Sequence, residues 1–497
     1  MLEKEDILDS KFSAHDRHRL EVKLDLEFQK DKKSLYNIEY YFFLPQSLNI
    51  SQESYSKEQF YAGTQHYIRF KTPDISMEKL FMPANELSPF NKAMKVLDEI
   101  SSGISGSFLE ETAVDEMKLL GSIIRANLRD AVEYISKTSG HILQNQRAEL
   151  LMREIRLTQE ALSSLKEKII SCGASQKIKD TFFALDEYIS LMIGEYLTDL
   201  IKCRQDKKCE FEEDLVKEMQ TIVLAQRNYR KAMGYSSVLK NGGINDHFLY
   251  WRGLLKKFIS SALYLNPQLS DLNLLTHTGP AIAAGLAMLF AIIVTIYAQS
   301  KYAINSAAFV IIIVLSYIFK DRIKDWLKII FSKKMTAWLY DRKTNVTEPA
   351  HNSRIGYIKE TFSYIPAGLL PEDIKKIRKS DNKKSIEEEA KTERVFKYKR
   401  EIFLNFEKIE KYHKRRKTLI DILRFSIADF IKHADEEIVP YDYFDEKTNS
   451  VVEEKCSRLY HINLVIRYNT KERKTYYYER LRIIATKNGI YSLQEVK

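Results

Sequence analysis

Glycine, proline and cysteine are scarce, and so is every familiar signature of catalysis. Sixteen Gly and ten Pro in 497 residues favour long helices over a loop-rich all-β architecture. The four cysteines, Cys172, Cys203, Cys209 and Cys456, form no CxxC pair and have no His nearby in sequence. That spacing makes no disulfide framework and predicts a reducing compartment, with Cys203 and Cys209 as structural or incidental residues. No GxxxxGK[ST], no GxGxxG after a strand, no HExxH and no GxSxG occurs. His15 and His18 lack metal-ligand partner spacing, and Gly103 to Ser107 reads as an interhelical loop. No cofactor, metal or catalytic residue is therefore expected, and a non-enzymatic role is favoured. Met1 to Ser13 is charged and reads as neither a signal nor a transit peptide.

What is present is charge, unevenly placed. The net charge is +10. Residues 301–497 carry 41 Lys and Arg against 28 Asp and Glu, a net of +13, which leaves −3 for residues 1–300. A basic surface beside anionic lipid explains this without a nucleic-acid motif; a nucleic-acid partner is the sharper alternative.

Two uncharged runs stand back to back near the middle of the chain. Residues 280–298 would span roughly 28 Å as a helix, against a hydrocarbon core of roughly 30 Å, and residues 302–319 end abruptly at Lys320. The short link between them predicts an antiparallel transmembrane hairpin. Arg252, Lys256 and Lys257 precede it, and Lys320, Arg322, Lys324, Lys328, Lys333 and Lys334 follow, whereas the turn holds only Lys301. That bias places both termini in the cytoplasm, in a multi-pass protein of bacterial inner-membrane type. All three tryptophans, Trp251, Trp326 and Trp338, lie in the flanks, as expected of interface residues. Residues 250–265 and 321–339 have basic amphipathic spacing suited to the leaflet surface, although the first could equally continue into a soluble bundle. Neither run contains an ionisable residue, which disfavours transport by a single chain. Small residues at Ala281 and Gly285, and at Ala284, Ala287 and Ala291, suit packing within the hairpin or between copies.

The expected architecture is a mixed α+β membrane protein. It comprises an N-terminal β-rich module (1–87), a cytoplasmic helical bundle or coiled coil (88–245), an amphipathic juxtamembrane helix (246–275), the hairpin (276–320), a basic juxtamembrane helix (321–344) and a C-terminal cytoplasmic α+β domain (345–497). Strands are predicted at 20–28, 35–44 and 66–71, where apolar residues alternate. Helical stripes run through 114–135, 150–169, 176–203 and 210–233. Residues 345–371 read as a loop, 371–390 and 392–434 as helices, and 458–496 as a β-meander with a turn at Lys487–Asn488–Gly489. The acidic run Asp435 to Glu446 reads as a solvated loop.

One patch stands out. Arg467, Arg473, Tyr476, Tyr478, Arg480 and Arg482 bring basic and aromatic side chains to a strand pair, a combination that grips single-stranded nucleic acid or another anionic partner. The plainer reading is tyrosines packed on basic stems. These features lead to two expectations. The first is a membrane-anchored interaction or sensing protein with a protein partner or a second copy, including an effector whose hairpins oligomerise. The second is a membrane-tethered nucleic-acid- or nucleotide-binding protein. Expected membrane-interface residues are Trp251, Lys256, Lys257, Lys320, Arg322, Lys324, Trp326, Lys328 and Trp338.

Overall fold

The computed structural model describes residues 11–496 apart from 28–32, 105, 241, 271–272, 305, 339, 349–352, 381–392, 413–414, 416–417 and 471–474. In chain order the elements are β1 (Phe12–Ala14), β2 (Arg19–Glu27), β3 (Lys33–Pro45), α1 (Lys57–Ala62), β4 (Thr64–Phe70), α2 (Met77–Phe81), α3 (Pro89–Ser101), α4 (Ser107–Lys137), α5 (His141–Ser171), α6 (Gln176–Gln205), α7 (Glu213–Ala232) and α8 (Asp246–Ser260). They continue with β5 (Asn266–Ser270), α9 (Asn273–Lys301), α10 (Ala307–Trp338), β6 (Arg342–Glu348), β7 (Ser353–Ile365), α11 (Glu372–Lys379), β8 (Glu393–Asn405) and α12 (Phe406–Tyr412). The last are β9 (Thr418–Ser426), α13 (Ala428–Ile431), β10 (Ile438–Asp445), β11 (Ser450–Ser457), β12 (Tyr460–Thr470), β13 (Tyr477–Thr486) and β14 (Gly489–Glu495). They form a β unit (Met1–Ile68, Asn266–Ile409, Asp421–Lys497) and a helical unit (Arg69–Leu265, Glu410–Ile420).

The β unit is built on an antiparallel eight-stranded sheet, ordered β14-β13-β12-β3-β8-β7-β6-β5, with a four-stranded sheet β1-β2-β9-β4 and a separate ribbon β10-β11. Strands expected in an N-terminal module and strands expected in a C-terminal domain therefore share sheets. β3 lies between β12 and β8, paired along its length with both. Alternating apolar residues specify a strand and its buried face, but they do not name a partner 360 residues away.

The stretch 392–434, expected as one helix, is β8, α12, β9 and α13. Phe396, Tyr398, Arg400, Ile402 and Leu404 are all buried and alternate with partly exposed Lys397, Lys399, Glu401 and Phe403, a period of two. Val395, Ile402, Phe403, Phe406 and Ile409 fall at helical spacing by coincidence. Residues 345–371, expected as a loop, contain part of β6 and all of β7; Pro366 and Pro371 lie beyond the end of β7. Gly356 permits the close pairing of β7 with β8: a Cβ there would meet the Phe403 carbonyl oxygen at 2.1 Å. The 371–390 stretch is helical over Glu372–Lys379, and its remainder from 381 onward lies outside the described residues. The acidic run is largely strand β10 rather than loop, and the terminal meander forms as β12, β13 and β14.

The helical unit follows the 3.6-residue stripes read from the sequence. α4 and α6 form its centre, with α3 on α4 and α7 on α6. Ser175 caps α6 by accepting from the Ile178 N–H, and Ser88 caps α3 ahead of Pro89, so orphan donors at both helix starts are satisfied. α8 packs on α4 and α6. At that crossing Gly121 is required, because a Cβ would meet Leu185 at 2.7 Å and Ile259 at 2.8 Å. Of the two readings of residues 250–265, α8 thus takes the continuation into the bundle. Cys203 and Cys209 were expected not to pair, yet they form a disulfide with Cα atoms 5.3 Å apart, which removes the cysteine argument for a reducing compartment. The chain reverses after α6, with Lys207 in the left-handed region (φ 57°), and this brings the two thiols together.

Candidate functional site

Three clusters carry the chemistry of the molecule: the α9–α10 pair, a buried ionic core in the β unit, and basic-aromatic groups on the sheet's outer face.

α9 contains a segment, Ala281–Lys301, long and apolar enough to cross a membrane by length and composition; among the described residues it is the single such segment. α10 packs against α9. Among the described residues, the buried side chains on α9 are Ala283, Ala287 and Ala298, and on α10 Phe309 and Ser316. Of the small residues read from the sequence, Ala287 is buried and Ala291 half-buried, whereas Ala281, Ala284 and Gly285 are exposed. Around this seam the large side chains point outward: Ile282, Leu286, Met288, Leu289, Ile292, Ile293, Ile296 and Tyr297 on α9, and Val310, Ile311, Val314, Leu315, Ile318 and Phe319 on α10, are all exposed. The second expected span is shorter than its sequence run. Helix α10 begins at Ala307, not at residue 302, so thirteen uncharged residues precede Lys320, a rise of roughly 20 Å.

The flanking residues divide. Trp326 is exposed, as are Arg322, Lys324 and Lys328, while the Lys320 ammonium sits 3.6 Å from the Tyr317 ring centroid. Lys256 and Lys257 are exposed on α8. Trp251 instead donates its indole N–H to Glu187 at 3.0 Å and stacks on His247, so its polar handle is spent inside the bundle. Trp338 ends α10, and its side chain lies outside the described residues, as does Arg473.

The ionic core joins the two sheets. Glu360 on β7, Tyr398 and Arg400 on β8 and Tyr40 on β3 face His66 on β4 and Asp421 on β9. Arg400 and Asp421 are fully buried and ion-paired. Arg400 Nε lies 3.4 Å from Glu360, and the Tyr398 hydroxyl donates to Glu360 while lying 2.8 Å from His66 Nε2. Burial works against the Arg400 charge, but Asp421, Tyr398 and Glu360 outweigh it and hold the guanidinium protonated. Burial, reinforced by Arg400 and Arg342, pulls the His66 pKa well below its usual value, so the ring is neutral. Burial and Glu360 raise the Tyr398 phenol well above 10. The arrangement pins two sheets together by reciprocal charge. No catalytic motif could have exposed it, but one signal exists: Arg400 is a lone charge on the buried phase of an alternating strand.

The sequence-predicted patch is occupied by its own protein. Arg467 bonds Glu39 through Nε at 2.7 Å, Asp373 through Nη1 at 2.8 Å and the Tyr41 hydroxyl at 3.1 Å. The Tyr478 hydroxyl donates to Asp373 at 2.7 Å, and burial and that contact push its pKa up to about 12. Arg480 is buried and donates to the Ile377 carbonyl and Ser380 of α11 and its C-cap; burial and Arg378 lower its pKa to about 10. Burial and Arg378 also lower Arg482. Tyr476 lies under the Arg467 guanidinium at 4.9 Å. Arg467, Tyr476 and Tyr478 are thus brought together, and Arg467, Tyr478 and Arg480 hold α11 against the sheet.

A second basic-aromatic cluster, which the sequence did not single out, occupies β6, β7 and β8. Tyr357 and Phe403 stack with centroids 4.9 Å apart. Lys343, Lys359 and Arg354 lie 5.2, 5.5 and 5.9 Å from the Tyr357 ring centroid. Reading 345–371 as loop concealed it.

Among the described residues no group of three or more His, Cys, Asp or Glu side chains is placed to hold a metal ion. No family model matches the chain, and neither a curated protein nor a solved structure is similar to it.

Proposed function

We propose that this chain is a membrane-anchored, non-enzymatic interaction or sensing protein, held by the α9–α10 hairpin with both units on the cytoplasmic side of an inner-membrane-type bilayer. The observation that carries the reading is the inverted surface of the hairpin. An uncharged helix of roughly 30 Å buries only alanines against its neighbour and turns Ile, Leu, Met and Phe outward. An exposed apolar surface of this extent is untenable in water and ordinary in lipid. The orientation rests on Lys and Arg after Phe319 and on the near absence of charge in the turn. An interaction role draws on the β10–β11 ribbon, where Ile438, Tyr441, Phe444 and Val451 are exposed; a two-stranded ribbon is marginal in water without a partner. Reporter fusions at 240, 300 and 345 test the topology: cytoplasmic signals at 240 and 345 with an external signal at 300 are expected, and an external signal at either flank rejects it.

A second reading, a tethered nucleic-acid-binding protein, is favoured by one observation, the stacked Tyr357–Phe403 pair beside Lys343, Lys359 and Arg354. Aromatic rings on a sheet bordered by cations can stack bases and neutralise phosphates. Binding of a single-stranded oligonucleotide that weakens steeply with salt and is lost in Tyr357→Ala would support it.

A further inference from the structure

The two helices of the hairpin do not match in the depth of their apolar surface. On α9 the uncharged segment runs from Ala281 to Ser300, roughly 30 Å. On α10 it runs only from Ala307 to Phe319, roughly 20 Å. Counting the same number of residues back from the turn on each helix sets Lys320 level with Met288 and Asp325 level with Ala283. The seam agrees with that register to within one residue: Phe309 falls level with Gln299, next to buried Ala298, and buried Ser316 level with Ile292, next to half-buried Ala291. Asp321, Arg322, Lys324, Asp325 and Lys328, all exposed, are thus at the height of exposed Ile282, Leu286 and Met288. One bilayer cannot solvate both: if lipid covers the inner half of α9, a charged band lies roughly 10 Å inside the hydrocarbon boundary, where each charge costs about 3 kcal/mol.

We propose that copies of this chain assemble through α10, turning the band Asp321–Lys328 toward a shared, water-containing axis while α9 faces lipid. The occupant of the polar face is a second copy because the band carries both signs at helical spacing: Asp321 and Asp325 alternate with Lys324 and Lys328. Such a stripe is self-complementary when two or more α10 helices face one another across a symmetry axis. α9, uncharged over the same depth, is suited to the lipid-facing ring. Ala281, Ala284 and Gly285 of α9 are exposed, so it is the charged stripe of α10, and not an exhaustion of small residues on α9, that selects α10 as the contact between copies. The inference rests on the membrane reading and refines it: the spans carry no ionisable residue as sequence segments, but the folded hairpin carries several at the same depth.

Cysteine accessibility in the full chain tests this, in a Cys172→Ser, Cys456→Ser background reconstituted into phosphatidylcholine–phosphatidylglycerol vesicles. Lys324→Cys and Leu286→Cys sit at nearly the same height on opposite sides of the seam. A membrane-impermeant maleimide is expected to modify Lys324→Cys at least about tenfold faster than Leu286→Cys, since thiolate forms only where water reaches. Oxidation is expected to cross-link copies through Lys324→Cys and not through Leu286→Cys. Equal, rapid labelling of both overturns the proposal, because the hairpin then inserts only to Phe319 and the band sits among headgroups. Rapid labelling at Lys324→Cys without cross-links also overturns it, leaving a single hairpin that thins the bilayer. Release of the unsubstituted chain from the vesicles by alkaline carbonate would instead remove the membrane reading itself.

Discussion

Within the β unit, the sheets hide charge and the hairpin displays hydrocarbon. In the first, Arg400 and Asp421 have no exposed surface and Glu360 is 4% exposed. In the second, most of the described large apolar side chains are open, and among the described residues only alanines, one phenylalanine and one serine are enclosed. Burial alone does not decide what a residue costs; the medium around it does. The buried ions are tolerable because each meets its opposite, and the exposed isoleucines are tolerable only if what surrounds them is not water.

The comparison breaks most forcefully at Arg400. Arg400→Met leaves Asp421 and Glu360 buried without a cation and is expected to destabilise the β unit by about 3–5 kcal/mol, measured by chemical denaturation in detergent micelles. Arg400→Met combined with Asp421→Leu should regain part of that loss, because only one carboxylate then remains unpaired. The hairpin counterpart inserts a charge where none exists: Ile293→Asp should cost about 3 kcal/mol of insertion, read as a fall in the carbonate-resistant fraction. Ile293→Leu should leave that fraction unchanged.

A smaller effect follows from His66. Its pKa is depressed in the folded state, so the unfolded chain binds the proton first as pH falls. Stability contributed by the neutral ring is present above roughly pH 6.5 and is lost below it. His66→Gln should therefore flatten the stability profile between about pH 6.5 and 5, seen as a smaller drop in thermal midpoint across that interval. The smallest expected effect is at Gly121, where Ala must displace Leu185 or Ile259 and should cost about 1–3 kcal/mol in the helical unit alone, leaving the hairpin's membrane retention untouched.

The two regions also differ in how far the sequence revealed them. α4, α5, α6 and α7 were readable because each carries its own apolar stripe at helical spacing, and each helix's hydrogen bonds close within itself whichever helix it packs on. β2, β3 and β4 were readable as strands for the same local reason. Their partners were not: the side-chain period says which face is buried, and β3 finds β8 and β12 by closing long loops. In 393–406, Val395, Ile402, Phe403 and Phe406 satisfy the helical template as well as Phe396, Tyr398 and Ile402 satisfy the strand template, and the central position of β8 settled the matter. The internal partners of the candidate patch were hidden on the same ground. Arg467 and Arg480 looked available because Glu39, Asp373 and Ser380, which accept from them, lie far away in sequence or on an element whose placement was unknown. A practical consequence concerns fragments. Residues 1–245 would strand β3 without β8 and β12, whereas 69–265 holds the helical unit except for Glu410–Ile420 and should express as a strongly helical, soluble piece.

The most direct measurement is extraction of the full chain from membranes with alkaline carbonate, alongside a chain in which residues 281–319 are replaced by a short Gly-Ser linker. The inverted hairpin surface leads us to expect the full chain in the pellet and the linker variant in the supernatant, both with native circular dichroism outside the lost helices. Full release of the intact chain by carbonate, with its secondary structure retained, would show that the apolar face of α9 is covered by protein rather than lipid and would contradict the account.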